Sequence, residues 1–257
     1  MPSINVENEE IYYSQIGNKK AEKSLFFIPG SGMTKEFMGL FSDQFAEYNT
    51  ITVDLPGHGE SCTSVKSSVE DLTSCLAQAI KGLIAENVLS KEIVVFGYSL
   101  GGFAAISLGL QNIPEIKQIV IISSCADLAT NPLGNMLKAS TTVDPDVIYS
   151  IVCGSATPKE RAAEIKQLFL DYLRDADLLY QDLVSAAPFD ILSKVSSVSV
   201  PVLVVIGDED QVIQPKDAVN LAETVQDGQL ITYKGFGHGM LFENTAQVIA
   251  DIKKFIK

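Results

Sequence analysis

The sequence predicts an α/β fold in which a mainly parallel sheet is covered by helices on both faces. The first observation is that several strand-length runs, such as residues 25–28, 93–96 and 202–206, are apolar at every position, which is typical of strands buried on both faces. The second is that these runs alternate with amphipathic helical segments along the chain. The third is a glycine-rich turn at residues 97–101 that joins one such run to a helix.

The first part of the chain predicts a hairpin, a buried strand and a helix. Segments 4–6 and 11–16 flank a short polar stretch and indicate an opening antiparallel hairpin. Residues 25–28 form the buried strand, and Thr34 can cap the helix that follows. The predicted apolar face of that helix carries Phe37, Leu40, Phe41 and Phe45.

The next part supplies three more strands. Residues 50–53 form a strand that runs into a loop, 54–61, rich in glycine. A long helix follows, and the strands at 93–96 and 119–122 come after it. The apolar positions of the long helix are Leu72, Cys75, Leu76, Ala79, Ile80 and Leu83.

Between residues 126 and 192 the alternation stops, and no convincing strand is predicted. Residues 157–160 start a helix, with threonine as N-cap, proline at the first helical position and a capping glutamate. We expect residues 127–190 to form a helical cap over the ligand-binding site at the carboxyl end of the sheet. This cap is inserted into a core of residues 1–126 and 191–257. The alternative is a helical excursion packed on the side of the core. The expected buried face of the helix carries Ile165, Leu168, Phe169, Tyr172 and Leu173.

The last part returns to strand and helix. Residues 202–206 form a strand, a helix follows near residues 216–225, and residues 230–233 form the final strand. The last helix is predicted to begin at Asn244, with Gln247 completing a capping box.

Composition limits the partners and the compartment. The net charge is −13, from 19 basic and 32 acidic side chains, so we expect no nucleic acid and no anionic membrane as partner. The sequence contains no run of 18 apolar residues, so we expect no membrane span. The N-terminus lacks the features of a signal peptide, so the cytoplasm is the expected compartment. Four cysteines without CxxC spacing predict reduced thiols: Cys62, Cys75, Cys125 and Cys153.

The turn at residues 97–101 has the features of a nucleophile elbow around Ser99. Gly97 and Gly101 allow a strained backbone at the serine, where larger side chains would crowd it. The Leu100 N–H lies in the first turn of a helix, has no intrahelical partner and can face an oxyanion. The alternative is a glycine-rich turn used only for tight packing of strand against helix.

A serine hydroxyl needs a base, which is usually histidine because its pKa lies near working pH. The chain has two histidines, His58 and His238. His238 lies in a glycine-rich loop past the last strand, at the same sheet edge as Ser99, and is the expected base. His58 lies in another loop at that edge and could as easily be structural.

The third residue must be an acid that orients the imidazole. Asp210 follows the strand at 202–206 in a tight turn and is the expected acid. Asp208 and Glu209 are rivals in the same turn, and Asp127 is a rival after the preceding strand. We expect Asp208 to bond the amides of its own turn instead.

The chain resembles the α/β-hydrolase superfamily, specifically its capped, single-domain bacterial members, over essentially its whole length. The motifs that carry the resemblance are GYSLGG at 97–102, DLPGHGES at 54–61, GDED at 207–210 and GH at 237–238. It implies an eight-stranded α/β-hydrolase fold, the acid at the fourth residue of the GDED turn, and a structural role for the histidine of the second motif.

The resemblance also implies an oxyanion hole built from backbone amides. In relatives a His-Gly pair after the third strand opens this hole, and here the position reads Pro29-Gly30. The donor is an amide, so the missing histidine need not abolish the hole. Ser31 N–H is expected to join Leu100 N–H, with Gly32 as the alternative.

These residues favour a serine hydrolase that cleaves a small or medium carboxylic ester through an acyl-enzyme, with no metal or organic cofactor. The predicted cap is rich in leucine, isoleucine, phenylalanine and methionine, which suits an apolar small-molecule substrate. Two alternatives stay open. The same three residues serve carbon–carbon bond cleavage, lactone opening or a lyase step in menaquinone synthesis, and the fold also serves as a receptor for small ligands or partner proteins.

Overall fold

The computed structural model describes residues 1–61, 64–131, 135, 141–173 and 175–257. Its centre is a sheet of eight strands: β1 Ser3–Val6, β2 Glu9–Gly17, β3 Lys23–Ile28, β4 Asn49–Val53, β5 Glu92–Tyr98, β6 Ile116–Ile122, β7 Val202–Gly207 and β8 Gly228–Tyr233. Their order is β1-β2-β4-β3-β5-β6-β7-β8. Strand β2 pairs antiparallel with β1 and β4, and every other pair is parallel. The predicted eight-stranded, mainly parallel sheet is confirmed.

Helices connect the strands and cover both faces of the sheet. They are α1 Lys35–Ser42, α2 Val69–Ala85, α3 Leu100–Leu108, α4 Pro145–Ser150, α5 Lys159–Tyr172, α6 Ala176–Ala186, α7 Pro215–Thr224, α8 Met240–Glu243 and α9 Thr245–Phe255. In the described ranges, no helix is both long and apolar enough to cross a membrane.

The core has two layers because successive residues of a strand point to opposite faces of the sheet. In β3, Phe26 and Ile28 join a cluster with α2, α3 and α7, whereas Leu25 and Phe27 join a second cluster with α1 and α9. The rings of Phe27 and Phe96 stack across β3 and β5, with centroids 4.3 Å apart. All six apolar positions predicted for α2 are buried.

Residues 127–190 lie between β6 and β7 and carry α4, α5 and α6. The two ends of this segment meet: Leu128 N–H donates to the Phe189 carbonyl at 2.8 Å, and Ile191 N–H donates to the Ala126 carbonyl at 2.8 Å. A segment closed at its base in this way can lie over the sheet edge while the β6–β7 pairing continues beneath it. Residues 132–134, 136–140 and 174 of this segment, and the predicted cysteine at position 62, are outside the described residues.

Two predicted helix faces were partly wrong. Leu40 is 42% exposed, because α1 turns it away from the sheet that buries Phe37 and Phe41. Tyr172 is 46% exposed at the end of α5, whereas Phe169 is buried. In both helices the apolar residues extend beyond the face that the protein core covers.

The predicted caps were also partly wrong. Pro158, not Thr157, occupies the N-cap of α5, because the Thr157 hydroxyl donates to Glu243 at 2.5 Å instead. Asn244 does precede α9, but its side chain makes no capping bond. Gln247 bonds Asp251 on the same helix, so the capping box does not form.

Candidate active site

Ser99 lies at the sharp turn between β5 and α3. Its backbone has φ 52° and ψ −117°, a region that costs about 1–3 kcal/mol for a residue with a side chain. The flanking glycines allow backbone segments to pack directly against each other. A Cβ on Gly97 would lie 2.1 Å from the Gly101 carbonyl oxygen, and one on Gly101 would lie 2.2 Å from the Ile28 carbonyl oxygen. Tight packing therefore holds the strained serine at the sheet edge.

His238 reaches Ser99 from the loop after β8. Its Nε2 lies 3.1 Å from Ser99 Oγ. Two buried hydroxyls fix the loop from below, since Tyr98 Oη and Ser123 Oγ donate to the His238 carbonyl at 3.1 and 3.0 Å. The ring is thus positioned through its own backbone by Tyr98, at the end of β5, and by Ser123, just after β6.

Asp210 lies on the other side of the same ring. Its Oδ2 is 2.8 Å from His238 Nδ1, and its Oδ1 accepts the amides of Val212 and Ile213, both at 2.8 Å. The carboxylate and ring are both buried. A carboxylate at Nδ1 selects the tautomer protonated there, which leaves the Nε2 lone pair facing the Ser99 hydroxyl.

The rival acids all bond elsewhere. Asp208 Oδ1 accepts the Gly235 amide at 2.5 Å, Glu209 bonds Ser155, and Asp127 bonds Thr130. The prediction that Asp208 bonds its own turn was wrong: Asp210 makes those bonds. A carboxylate has two oxygens, so Asp210 can hold the turn with one and face the histidine with the other.

The two backbone amides expected to form an oxyanion hole are free of partners in the described part of the chain. They are the N–H groups of Leu100, at the start of α3, and of Ser31, after β3. The loop containing Ser31 is adjacent to the serine, since a Cβ on Gly30 would lie 3.3 Å from Ser99 Cβ. Gly32 N–H, by contrast, donates to Asp182 Oδ2 at 2.7 Å. The structure therefore leaves Ser31, rather than Gly32, available to an oxyanion.

His58 and Asp182 form a buried pair between the loop after β4 and helix α6. His58 Nε2 lies 2.8 Å from Asp182 Oδ2, and His58 Nδ1 lies 3.1 Å from the Pro56 carbonyl. Both acceptors favour an imidazolium with two N–H groups. Burial by itself lowers the pKa of His58, but the hydrogen bond and charge of Asp182 outweigh burial, so the pKa is raised above its ordinary value.

A small cavity of about 40 Å³ adjoins the serine, and Ser99, Ser31 and His238 line it. Most other lining residues are apolar and lie between positions 148 and 183, in or next to α4–α6. They include Ile148, Tyr149, Phe169, Leu173, Leu179 and Leu183. The segment between β6 and β7 therefore forms a wall of this cavity. Within the described residues, no group of three or more His, Cys, Asp or Glu side chains is placed to hold a metal ion.

Sequence reasoning missed two residues at this site, Asp182 and Tyr149. Asp182 gave a signal: it lies on the apolar face of α6 between Leu179 and Leu183, where a charge needs a partner. Its partners are more than a hundred residues away, so the sequence did not identify them. Tyr149 gave no such signal, because a tyrosine on a short helix is ordinary.

Comparisons with known proteins agree with this fold. A family model described as serine aminopeptidase, S33, matches residues 19–245. Lipase 1 of Psychrobacter immobilis is 23% identical over 96% of this chain and 80% of that protein, and a non-heme chloroperoxidase of Burkholderia pyrrocinia is 27% identical over 100% of both. The structure of a lipase-esterase related protein from Clostridium acetobutylicum ATCC 824 has a TM-score of 0.83 and 23% identity, covering 95% of this chain and 99% of that chain.

Proposed function

The chain belongs to the serine aminopeptidase, S33, family of the α/β-hydrolase superfamily, and from this premise we propose that it is a serine hydrolase that cleaves small or medium carboxylic esters. The observation that carries the proposal is the hydrogen-bonded series Ser99–His238–Asp210, with contacts of 3.1 and 2.8 Å. It joins a nucleophile, a base and an orienting acid in the geometry that acyl transfer requires.

In the first half of the reaction, Ser99 Oγ attacks the ester carbonyl carbon while its proton passes to His238 Nε2. The imidazolium that forms is stabilised by Asp210, which stays ionised. The same proton then goes to the departing alkoxide, the carbon–oxygen bond breaks, and the acyl group remains on Ser99. The Asp210 bonds to Val212 and Ile213 keep the carboxylate in place during this charge change.

The tetrahedral oxyanion is stabilised by the amides of Leu100 and Ser31. Loss of one such donor in a serine hydrolase costs about 10²–10³ in kcat, so the loop that holds the Ser31 amide matters for rate. Asp182 supports that loop, because it binds the neighbouring Gly32 amide and is itself held by His58. In this proposal His58 is a positioning residue, which acts through Asp182.

In the second half, a water molecule attacks the acyl-enzyme. His238 takes the water proton and returns it to Ser99 Oγ as the carbon–oxygen bond to the serine breaks. The free acid then leaves, and the resting state is restored without a net change in the enzyme. No step draws on a metal or an organic cofactor.

Residues 127–190 serve as the cap in this proposal, because they supply most of the apolar wall beside Ser99. The cavity favours an ester over the peptide suggested by the family description. An aminopeptidase must bind a free α-ammonium group, and none of the described residues that line the cavity is acidic. An apolar acyl group needs no such partner.

A substrate panel tests the proposal. Nitrophenyl esters of increasing acyl length are compared with an aminoacyl nitroanilide, a lactone and a ring-fission diketone, using Ser99→Ala as the control. The proposal expects the esters to be cleaved best, and to lose turnover in the control. Preferred cleavage of another substrate class would overturn it, and turnover far below about 1 s⁻¹ on every substrate would favour a receptor.

A further inference from the structure

Tyr149 carries a hydroxyl that has no hydrogen-bond partner among the residues that the structure describes. The residue is 4% exposed, and its Oη is buried with no described donor or acceptor in contact. A buried polar group left unpaired is unfavourable, and in native structures it asks for an explanation. The ring is packed in the core, since it contacts Phe169 with ring centroids 5.2 Å apart.

The position of this hydroxyl is what makes it informative. Tyr149 lines the same cavity as Ser99. The other tyrosine of that cavity, Tyr98, uses its hydroxyl to bond the His238 carbonyl, and Ser99 is bonded to His238. The cavity residues between positions 169 and 183 are apolar and offer no partner. A molecule that fills the cavity can supply the partner that the described residues do not.

We propose that Tyr149 is a specificity residue whose hydroxyl donates to an oxygen in the acyl part of the substrate, so that the preferred esters are those of oxo-acids. This inference rests on the proposed esterase function and names its substrate class. A phenol is a stronger donor than acceptor towards a ketone, which can only accept. The acyl part is the relevant one, because it stays bonded to Ser99, which lines the same cavity as Tyr149, after the alcohol has left.

The test compares hexanoyl nitrophenyl ester with its analogues that carry an oxo group at the third, fourth or fifth carbon. The kcat/KM of each oxo ester is divided by that of the plain hexanoyl ester, in wild type and in Tyr149→Phe. Because the inherent reactivity of each ester is the same for both proteins, the change in this ratio isolates the hydroxyl. We expect the ratio of at least one oxo ester to fall about three- to tenfold in the variant, as the loss of one hydrogen bond predicts.

Tyr233→Phe is the matched control. It removes a hydroxyl that bonds Asp251 at 2.8 Å, outside the cavity. We expect this variant to lower the melting temperature and to leave the oxo-to-alkyl ratios unchanged. Tyr149→Phe should keep or raise the melting temperature, because no described residue of the free protein bonds the hydroxyl that it removes.

The inference is overturned if Tyr149→Phe changes every ratio by less than twofold, or if it lowers the melting temperature as Tyr233→Phe does. A second measurement needs no turnover: binding of the oxo-hexanoic acids and of hexanoic acid to Ser99→Ala, with and without Tyr149→Phe. If wild type cleaves no ester, the proposed function fails. The binding preference for an oxo acid, and its loss with the hydroxyl, then still decides the role of Tyr149.

Discussion

Replacing Asp182 with alanine removes one carboxylate oxygen that two distant segments share. Asp182 Oδ2 accepts the Gly32 amide at 2.7 Å and lies 2.8 Å from His58 Nε2. The substitution leaves an amide of the loop beside Ser99 unpaired and leaves His58 buried without its counter-charge. It should therefore affect both the stability of the fold and the placement of the Ser31 amide.

The magnitude follows from these two losses. Removing one partner of a buried ion pair costs about 3–5 kcal/mol, and this figure already includes the unpaired hydrogen-bonding groups that remain. The effect on kcat is bounded by the loss of a whole oxyanion donor, about 10²–10³. Because Asp182→Ala loosens the loop without deleting the Ser31 amide, we expect a smaller fall, of about ten- to a hundredfold, with KM changing less than kcat.

Urea denaturation gives the free energy of unfolding, and ester hydrolysis gives kcat and KM. Asp177→Ala is the matched control, since Asp177 lies on the same helix, is exposed, and should cost less than about 1 kcal/mol. The reasoning is refuted if Asp182→Ala is as stable and as active as Asp177→Ala. A loss of stability with unchanged kcat would leave the pair a purely structural one.

Four further predictions concern the site and the core. Asp210→Asn should keep the turn but present an amide to the histidine and lower kcat about 10⁴-fold, whereas Asp208→Asn should cost far less; steady-state kinetics would contradict the assignment if the order were reversed. His238→Ala should lose activity and remain folded, while His58→Ala should mainly lower the melting temperature, and the opposite pattern would mean that the base is misassigned. The pKa of His58 is raised on folding, so its stabilising effect is complete below its ordinary pKa of about 6.5 and is lost as pH rises through the folded value. The stability gap between wild type and His58→Ala should therefore shrink as the pH of urea titrations rises above about 6.5, and a gap that widens would be inconsistent with this pair. Phe169→Ala should cost about 3–5 kcal/mol, because its ring is buried against three other rings; a changed acyl-length preference at full stability would show that the residue lines the pocket without supporting it.

The parts of the fold that local sequence controls were predicted well. Uniformly apolar runs such as those of β5 and β7 identified strands buried on both faces, and the spacing along α2 identified its buried side. The contact between Ser99 and His238 could be anticipated because few residues of the right type follow strands at one sheet edge. Asp210 was favoured over Asp208 partly because Asp208 was expected to bond the amides of its own turn. That expectation is wrong, since Asp208 accepts the Gly235 amide instead.

The parts that depend on contacts distant in sequence were not predicted. The caps failed at Thr157 and Gln247 because nearby acidic side chains compete for the same groups. The choice between the Ser31 and Gly32 amides could not be made without Asp182, which lies 150 residues further along the chain. A lone charge on an apolar helix face predicts that a partner exists, but only the fold determines which residue that partner is.

The central claim is that Ser99 is the nucleophile, and covalent trapping tests it most directly. The protein is treated with a fluorophosphonate, and its intact mass and labelled peptide are measured by mass spectrometry, with Ser99→Ala alongside. The account predicts one adduct per chain, on the peptide that contains Ser99, and none in the variant. A wild-type protein that takes no label, or a Ser99→Ala protein that is labelled as fast as wild type, would contradict it.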